Sequence, residues 1–177
     1  LIRANVPKSR PYIIPPEDVG KLMAYTHEHE PTMVPYLALC LFAGLRPLGE
    51  MGRLDWKDIN LKRKEIFISD EVSKTGDERY VDIHDNLLGW LKPHWQNAGP
   101  IFFSKRKFNR IREKTKIRWE ANCMRHSFGS YHLSMFDNAG KTALQMGHRD
   151  IGTLFEYYRR AVRKGDAEKY WSILPVS

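Results

Sequence analysis

The chain has 177 residues, 42% of them apolar and 28% charged. That balance excludes a disordered tail, a fibre or a membrane bundle and leaves a globular domain with one substantial core. Twenty-nine Lys and Arg against 21 Asp and Glu give a formal charge of +8, which favours a polyanionic partner.

Residues 1 to 15 carry Pro7, Pro11 and Pro15 with basic residues between them, and read as an extended linker entering from something upstream. The chain begins at Leu1, so a fragment is expected, with its folded domain over residues 16 to 177. From Pro16 the apolar spacing of Val19, Leu22, Met23 and Tyr25 predicts an amphipathic helix. Thr32 to Ala43 predicts a second, more buried helix, stopped by Gly44, and Arg46-Pro47 opens a short helical turn. Cys40 lies in the apolar run of that helix and reads as a buried thiol. Neither it nor Cys123 has the spacing of a metal site or a disulfide framework. The longest apolar run, about 33 to 45, is too short to span a bilayer, and the start has no secretory signal. A cytoplasmic, nucleoid-associated protein with no membrane contact is expected.

Further on, Ile66 and Ile68 alternate with polar neighbours, as do Val81 and Ile83, and Ser73-Lys-Thr-Gly-Asp-Glu78 between them is turn chemistry. A small antiparallel sheet follows, with Pro100 to Phe103 as the candidate third strand. Asn86 to Trp95 predicts a helix. In the run Ser104 to Arg118, eight of fifteen residues are basic and one is acidic. Phe108 and Ile111 anchor one face there, which leaves Lys105, Arg106, Lys107 and Arg110 as candidate phosphate contacts. From Asn122 on, helices dominate, broken near Asn138-Ala-Gly140 and at Gly147. Ala167 to Leu174 predicts a terminal amphipathic helix carrying Tyr170, Trp171 and Leu174.

Four segments carry the chemistry. They are Phe42-Ala-Gly-Leu-Arg-Pro-Leu-Gly-Glu50 with the following Arg53 to Ile59, the Lys74 turn, Asn122-Cys-Met-Arg125-His-Ser-Phe128, and Gly147-His148 with tyrosines at 157 and 158. Attack on a phosphodiester builds negative charge on the non-bridging oxygens. Arg46 and Arg125 suit that charge, because guanidinium is planar, always charged and donates bidentately. Lys74 can protonate a leaving oxygen if the site lowers its pKa. A phenol can attack phosphorus. Taken singly, Arg46 reads as a solvent-facing cation, Lys74 as an ordinary turn lysine and His148 as a core histidine.

In their order, the four segments resemble the boxes of the tyrosine recombinases, the phage integrase family, over about residues 15 to 177. The resemblance implies a mainly helical α+β catalytic domain with a small three-stranded antiparallel sheet. It implies site-specific cutting and rejoining of double-stranded DNA through a 3′-phosphotyrosyl intermediate, with no metal or other cofactor. The implied assembly is a tetramer on DNA and a monomer in free solution. The implied site is Arg46, Lys74, Asn122, Arg125, His148 and Tyr158, with Tyr157 as the alternative nucleophile. Tyr158 is preferred because it shares a helical face with Ile151, Leu154 and Phe155. Asn122 departs from the family, which usually has His there, and Asn cannot act as acid or base. His126 is expected to make a structural hydrogen bond. The alternatives are a type IB topoisomerase-like relaxing activity and a DNA-binding regulator with a decayed site.

Overall fold

The computed structural model describes residues 10–152, 154 and 162–176. Helix α1 (Pro16–His29) starts with proline at its first position, where the missing N–H costs nothing. Glu17 and Asp18 lie in its first turn and His27 and His29 in its last, matching the helix dipole. It buries Val19, Leu22, Met23 and Thr26, a spacing of three, one and three residues that makes one face. A 3₁₀ turn (Pro31–Met33) leads into α2 (Val34–Phe42), all nine of whose residues are buried. An all-apolar helix cannot face water, and α2 is accordingly the central element, packed against α1, α3 (Asp85–Leu91) and α5 (Cys123–Phe136).

The sheet is antiparallel in the order β1 (Ile59–Asn60), β2 (Glu65–Ile68), β3 (Arg79–Asp82), with Ile66 opposite both Ile59 and Val81. The hairpin predicted around the Lys74 turn is therefore β2–β3. The third strand is not at Pro100 to Phe103. Pro100 makes only an isolated bridge to Asp55, and residues 101 to 104 form no regular structure. Proline has no N–H for a ladder. Asp55 instead organises this corner, accepting from the N–H groups of Lys57 and Gly99 at 2.9 Å each and closing a capping box with Asp58 just before β1.

Helix α4 (Lys105–Thr115) is capped by Ser104 and ends on Lys116 in the left-handed region. Ile111 is buried and Phe108 packs against the core, as their spacing predicts. Helix α6 (Ala139–Met146) is capped by Asn138. Its Gln145 accepts from the N–H of Asp82 at 2.7 Å, so α6 covers the free edge of β3. Helix α7 (Lys164–Trp171) docks on its own domain. The Tyr170 ring stacks on Tyr131 at 4.1 Å, its hydroxyl donates to the Leu41 carbonyl, and Trp171 Nε1 donates to the Tyr131 carbonyl at 3.2 Å. Within the stretch read as linker, Ile14 is fully buried. Its N–H donates to Ser127 Oγ at 2.9 Å and its carbonyl accepts from Tyr131 Oη at 2.8 Å. Both cysteines are buried free thiols. No helix among the described residues is long and apolar enough to cross a membrane.

Candidate active site

Each candidate side chain is delivered by a backbone feature that its local sequence dictates. After α2 the chain turns at Gly44, whose φ is +66°. A Cβ there would also stand 2.3 Å from the Phe128 ring, so glycine is required twice over. The Gly44 carbonyl accepts from Arg125 Nη1, and the Met146 carbonyl accepts from Arg125 Nη2. Arg125 is buried at the start of α5, and these two carbonyls set the plane of its guanidinium.

Two residues after Gly44, Arg46 is held by Glu50. The Glu50 carboxylate accepts from Arg46 Nη1 at 2.8 Å and from the Arg46 N–H at 3.0 Å. Glu50 is wholly buried and also ion-pairs with Arg79 Nη2 at 2.8 Å. An isolated buried carboxylate would be strongly unfavourable, and two guanidiniums compensate it.

Helix α6 ends on Gly147, with φ +65°. The N–H of Gly147 bonds to the Leu144 carbonyl and that of His148 to the Ala143 carbonyl, a Schellman closure that turns His148 out of the helix. Burial, together with the guanidiniums of Arg125, Arg46 and Arg79 and the His126 ring, pushes the His148 imidazole down to about 4. His148 is therefore neutral near pH 7 although cations surround it. Its Nδ1 is buried without a hydrogen-bond partner among the described residues.

Lys74 is exposed in the β2–β3 turn and makes no ion pair among the described residues. Its turn is nevertheless held from two sides. Arg149, next to His148, donates to the Thr75 carbonyl and to Asp77, each at 2.8 Å, and Arg53 donates to the Glu71 carbonyl at 2.7 Å. Asn122 adopts a left-handed φ of 58° immediately before α5, a conformation asparagine tolerates, and its side chain is exposed and does not cap the helix. His126 is half-buried, with its pKa lowered by burial and by Arg125. Tyr157 and Tyr158 lie outside the described residues.

The structure thus gathers Arg46, Arg125 and His148, docks the Lys74 turn against the residue after His148, and leaves Asn122 at the surface. Among the described residues no group of three or more His, Cys, Asp or Glu side chains is placed to hold a metal ion. Two members of the cluster, Glu50 and Arg79, carry no role that their sequence neighbourhoods assign. A signal for Arg79 exists: it shares the inward face of β3 with Val81, where a charged residue needs a buried partner. In the basic run, Lys107 and Arg110 both ion-pair with Glu30, at 2.9 and 2.8 Å, and pin α4 to the end of α1. Lys105 and Arg106 make no ion pair among the described residues and present their charge to solvent.

The chain has a family counterpart. The family model described as the phage integrase family matches residues 13–164. The chain belongs to that family. Its fold is that of the tyrosine recombinase catalytic domains. It is similar to XerA recombinase, with a TM-score of 0.71 and 16% identity, over 94% of this chain and 66% of that one. The catalytic domain of bacteriophage HP1 integrase matches with a TM-score of 0.68 and 19% identity, over 84% of this chain and 87% of that one. A Tn1549 transposon integrase, in complex with a circular intermediate DNA, matches with 0.68 and 15%, over 89% and 64%. At these identities the likeness is one of fold. The chain spans just under two thirds of the XerA and Tn1549 integrase chains it matches. Comparison with curated proteins finds no match.

Proposed function

We propose that this phage integrase family member is a site-specific DNA strand transferase that cuts and rejoins double-stranded DNA through a 3′-phosphotyrosyl intermediate. The observation that carries the reading is the convergence of Arg46, Arg125 and His148, from three separate segments, beside the docked Lys74 turn. In this mechanism Tyr158, or Tyr157 as the alternative, gives its phenolic proton to the neutral His148. The phenolate oxygen bonds to phosphorus, the bond from phosphorus to the 5′ oxygen breaks, and Lys74 protonates the departing oxygen. Arg46 and Arg125 hold the non-bridging oxygens as charge builds, donors typically worth about 3 kcal/mol each at the transition state. A 5′-hydroxyl of the partner strand then reverses the steps, so the bond energy is conserved without a nucleotide. Asn122 supplies at most a hydrogen bond to phosphate. In this reading the protein is a monomer in free solution and forms a tetramer on DNA.

The test is covalent capture from a library of nicked duplexes with a randomised core. The expected result is a detergent-stable protein–DNA adduct that Tyr158→Phe abolishes while DNA binding persists. Loss in Tyr157→Phe alone makes Tyr157 the nucleophile. DNA binding with no adduct from the native chain supports a regulator instead, and relaxation of supercoiled DNA without strand exchange supports a topoisomerase.

A further inference from the structure

Glu50 presents a difficulty for any anion site built on Arg46. It orients the guanidinium through two hydrogen bonds, yet its own charge, 2.8 Å away and fully buried, would cancel the cation that a phosphate needs. Arg79 resolves it. Its side chain is 3% exposed and Nη2 sits 2.8 Å from the same Glu50 oxygen that Arg46 contacts. Two guanidiniums, those of Arg46 and Arg79, thus share one buried carboxylate. Burial lowers the Arg79 pKa while Glu50 raises it, and a guanidinium stays charged under that balance.

Arg79 also reaches the other half of the site. Nε donates to the Gln145 carbonyl at 3.1 Å, in the last turn of α6. The guanidinium lies flat against Gly147, where a Cβ would meet Nη1 at 2.9 Å and Cζ at 3.0 Å. Nη1 has no hydrogen-bond partner among the described residues. One side chain on β3 therefore touches the arginine turn and the loop that delivers His148, and its own strand continues the Lys74 hairpin.

We propose that Arg79 is a positioning residue of the strand-transfer site, the buried countercharge that lets Glu50 orient Arg46 without neutralising it. This rests on the reading of the site given above, and predicts a charge-balance signature that a packing role lacks. The probe is inorganic phosphate, titrated by NMR alongside the His148 imidazole, with thermal melts for each variant. Arg79→Gln should weaken phosphate binding at least about tenfold, the worth of one charge-assisted hydrogen bond. Arg79→Lys should recover part of it. The double variant Arg79→Gln/Glu50→Gln, which removes both charges, should recover most of it. His148 should titrate higher in Arg79→Gln, because one of the cations that holds it neutral is gone. Arg79→Gln with native phosphate affinity and an unmoved His148 overturns the proposal. So does a double variant no better than Arg79→Gln, which marks a packing role. Should Arg79→Gln not fold, Arg79→Lys and the double variant carry the same comparison. Should the native chain fail to bind phosphate, the strand-transfer reading fails, and the His148 titration still decides whether Arg79 sets the local potential.

Discussion

Gly44→Ala is the perturbation that most directly joins fold to site. A left-handed φ of +66° costs an alanine about 1–2 kcal/mol. The new methyl would stand 2.3, 2.7 and 2.9 Å from three carbons of the Phe128 ring, all inside van der Waals contact. Phe128 is 1% exposed in a small cluster with Leu133, Ala143, Met146 and Leu154, so the ring cannot simply swing away. Overpacking of this kind costs about 1–3 kcal/mol. The sum is about 2–5 kcal/mol, on the order of 10 °C in melting temperature for a chain of this size. The assay is urea and thermal unfolding of the single variant, of Phe128→Leu and of the pair. Phe128→Leu should absorb the steric part, so the two costs should fall short of additive by about 1 kcal/mol or more. Because the Gly44 carbonyl is an acceptor for Arg125, phosphate affinity should fall with stability. An unfolding free energy for Gly44→Ala within about 0.5 kcal/mol of the native chain would refute the double requirement for glycine. Additive costs in the pair would refute the clash with Phe128.

Charge reversal at Lys105 and Arg106 should weaken duplex binding and flatten its salt dependence by roughly 0.9 in slope for each phosphate no longer neutralised, with no change in melting temperature. Lys107→Ala should lower the melting temperature as well, because Lys107 holds Glu30, and equal melting temperatures for the two sets would show that this ion pair does not anchor α4. Acid should destabilise the protein through His132, which is fully buried against Thr142 and whose pKa is pushed down to about 3 by burial, the nearby His84 ring and the Lys141 cation. The unfolded chain takes up that proton first, so the contribution is complete above about pH 6.5 and is lost as pH falls toward 3, at most about 5 kcal/mol at ~1.4 kcal/mol per unit. His132→Gln should flatten the stability profile across that window, and an unchanged profile would place the acid sensitivity elsewhere.

Much of this protein was legible from the chain alone wherever the deciding physics is local. The helix at α1 follows from Val19, Leu22 and Met23 at helical spacing behind a proline start, and the β2–β3 hairpin from alternating isoleucines and valine around a polar turn. The order of the arginine, lysine and histidine segments likewise pointed to phosphate chemistry before any geometry. What failed was nonlocal. The third strand lies at Ile59–Asn60 and not at Pro100, because strand pairing needs an N–H donor and a partner in register, and register is set by the neighbouring strand. Lys107 and Arg110 read as phosphate contacts in a basic run, and only the fold adds that both ion-pair with Glu30, far away in sequence. Arg79 and Glu50 are 29 positions apart, and although the inward place of Arg79 on β3 calls for a buried partner, nothing in its neighbourhood says which. The tertiary structure decided these features because a charge buried by one segment must be compensated by whichever segment packing brings to it.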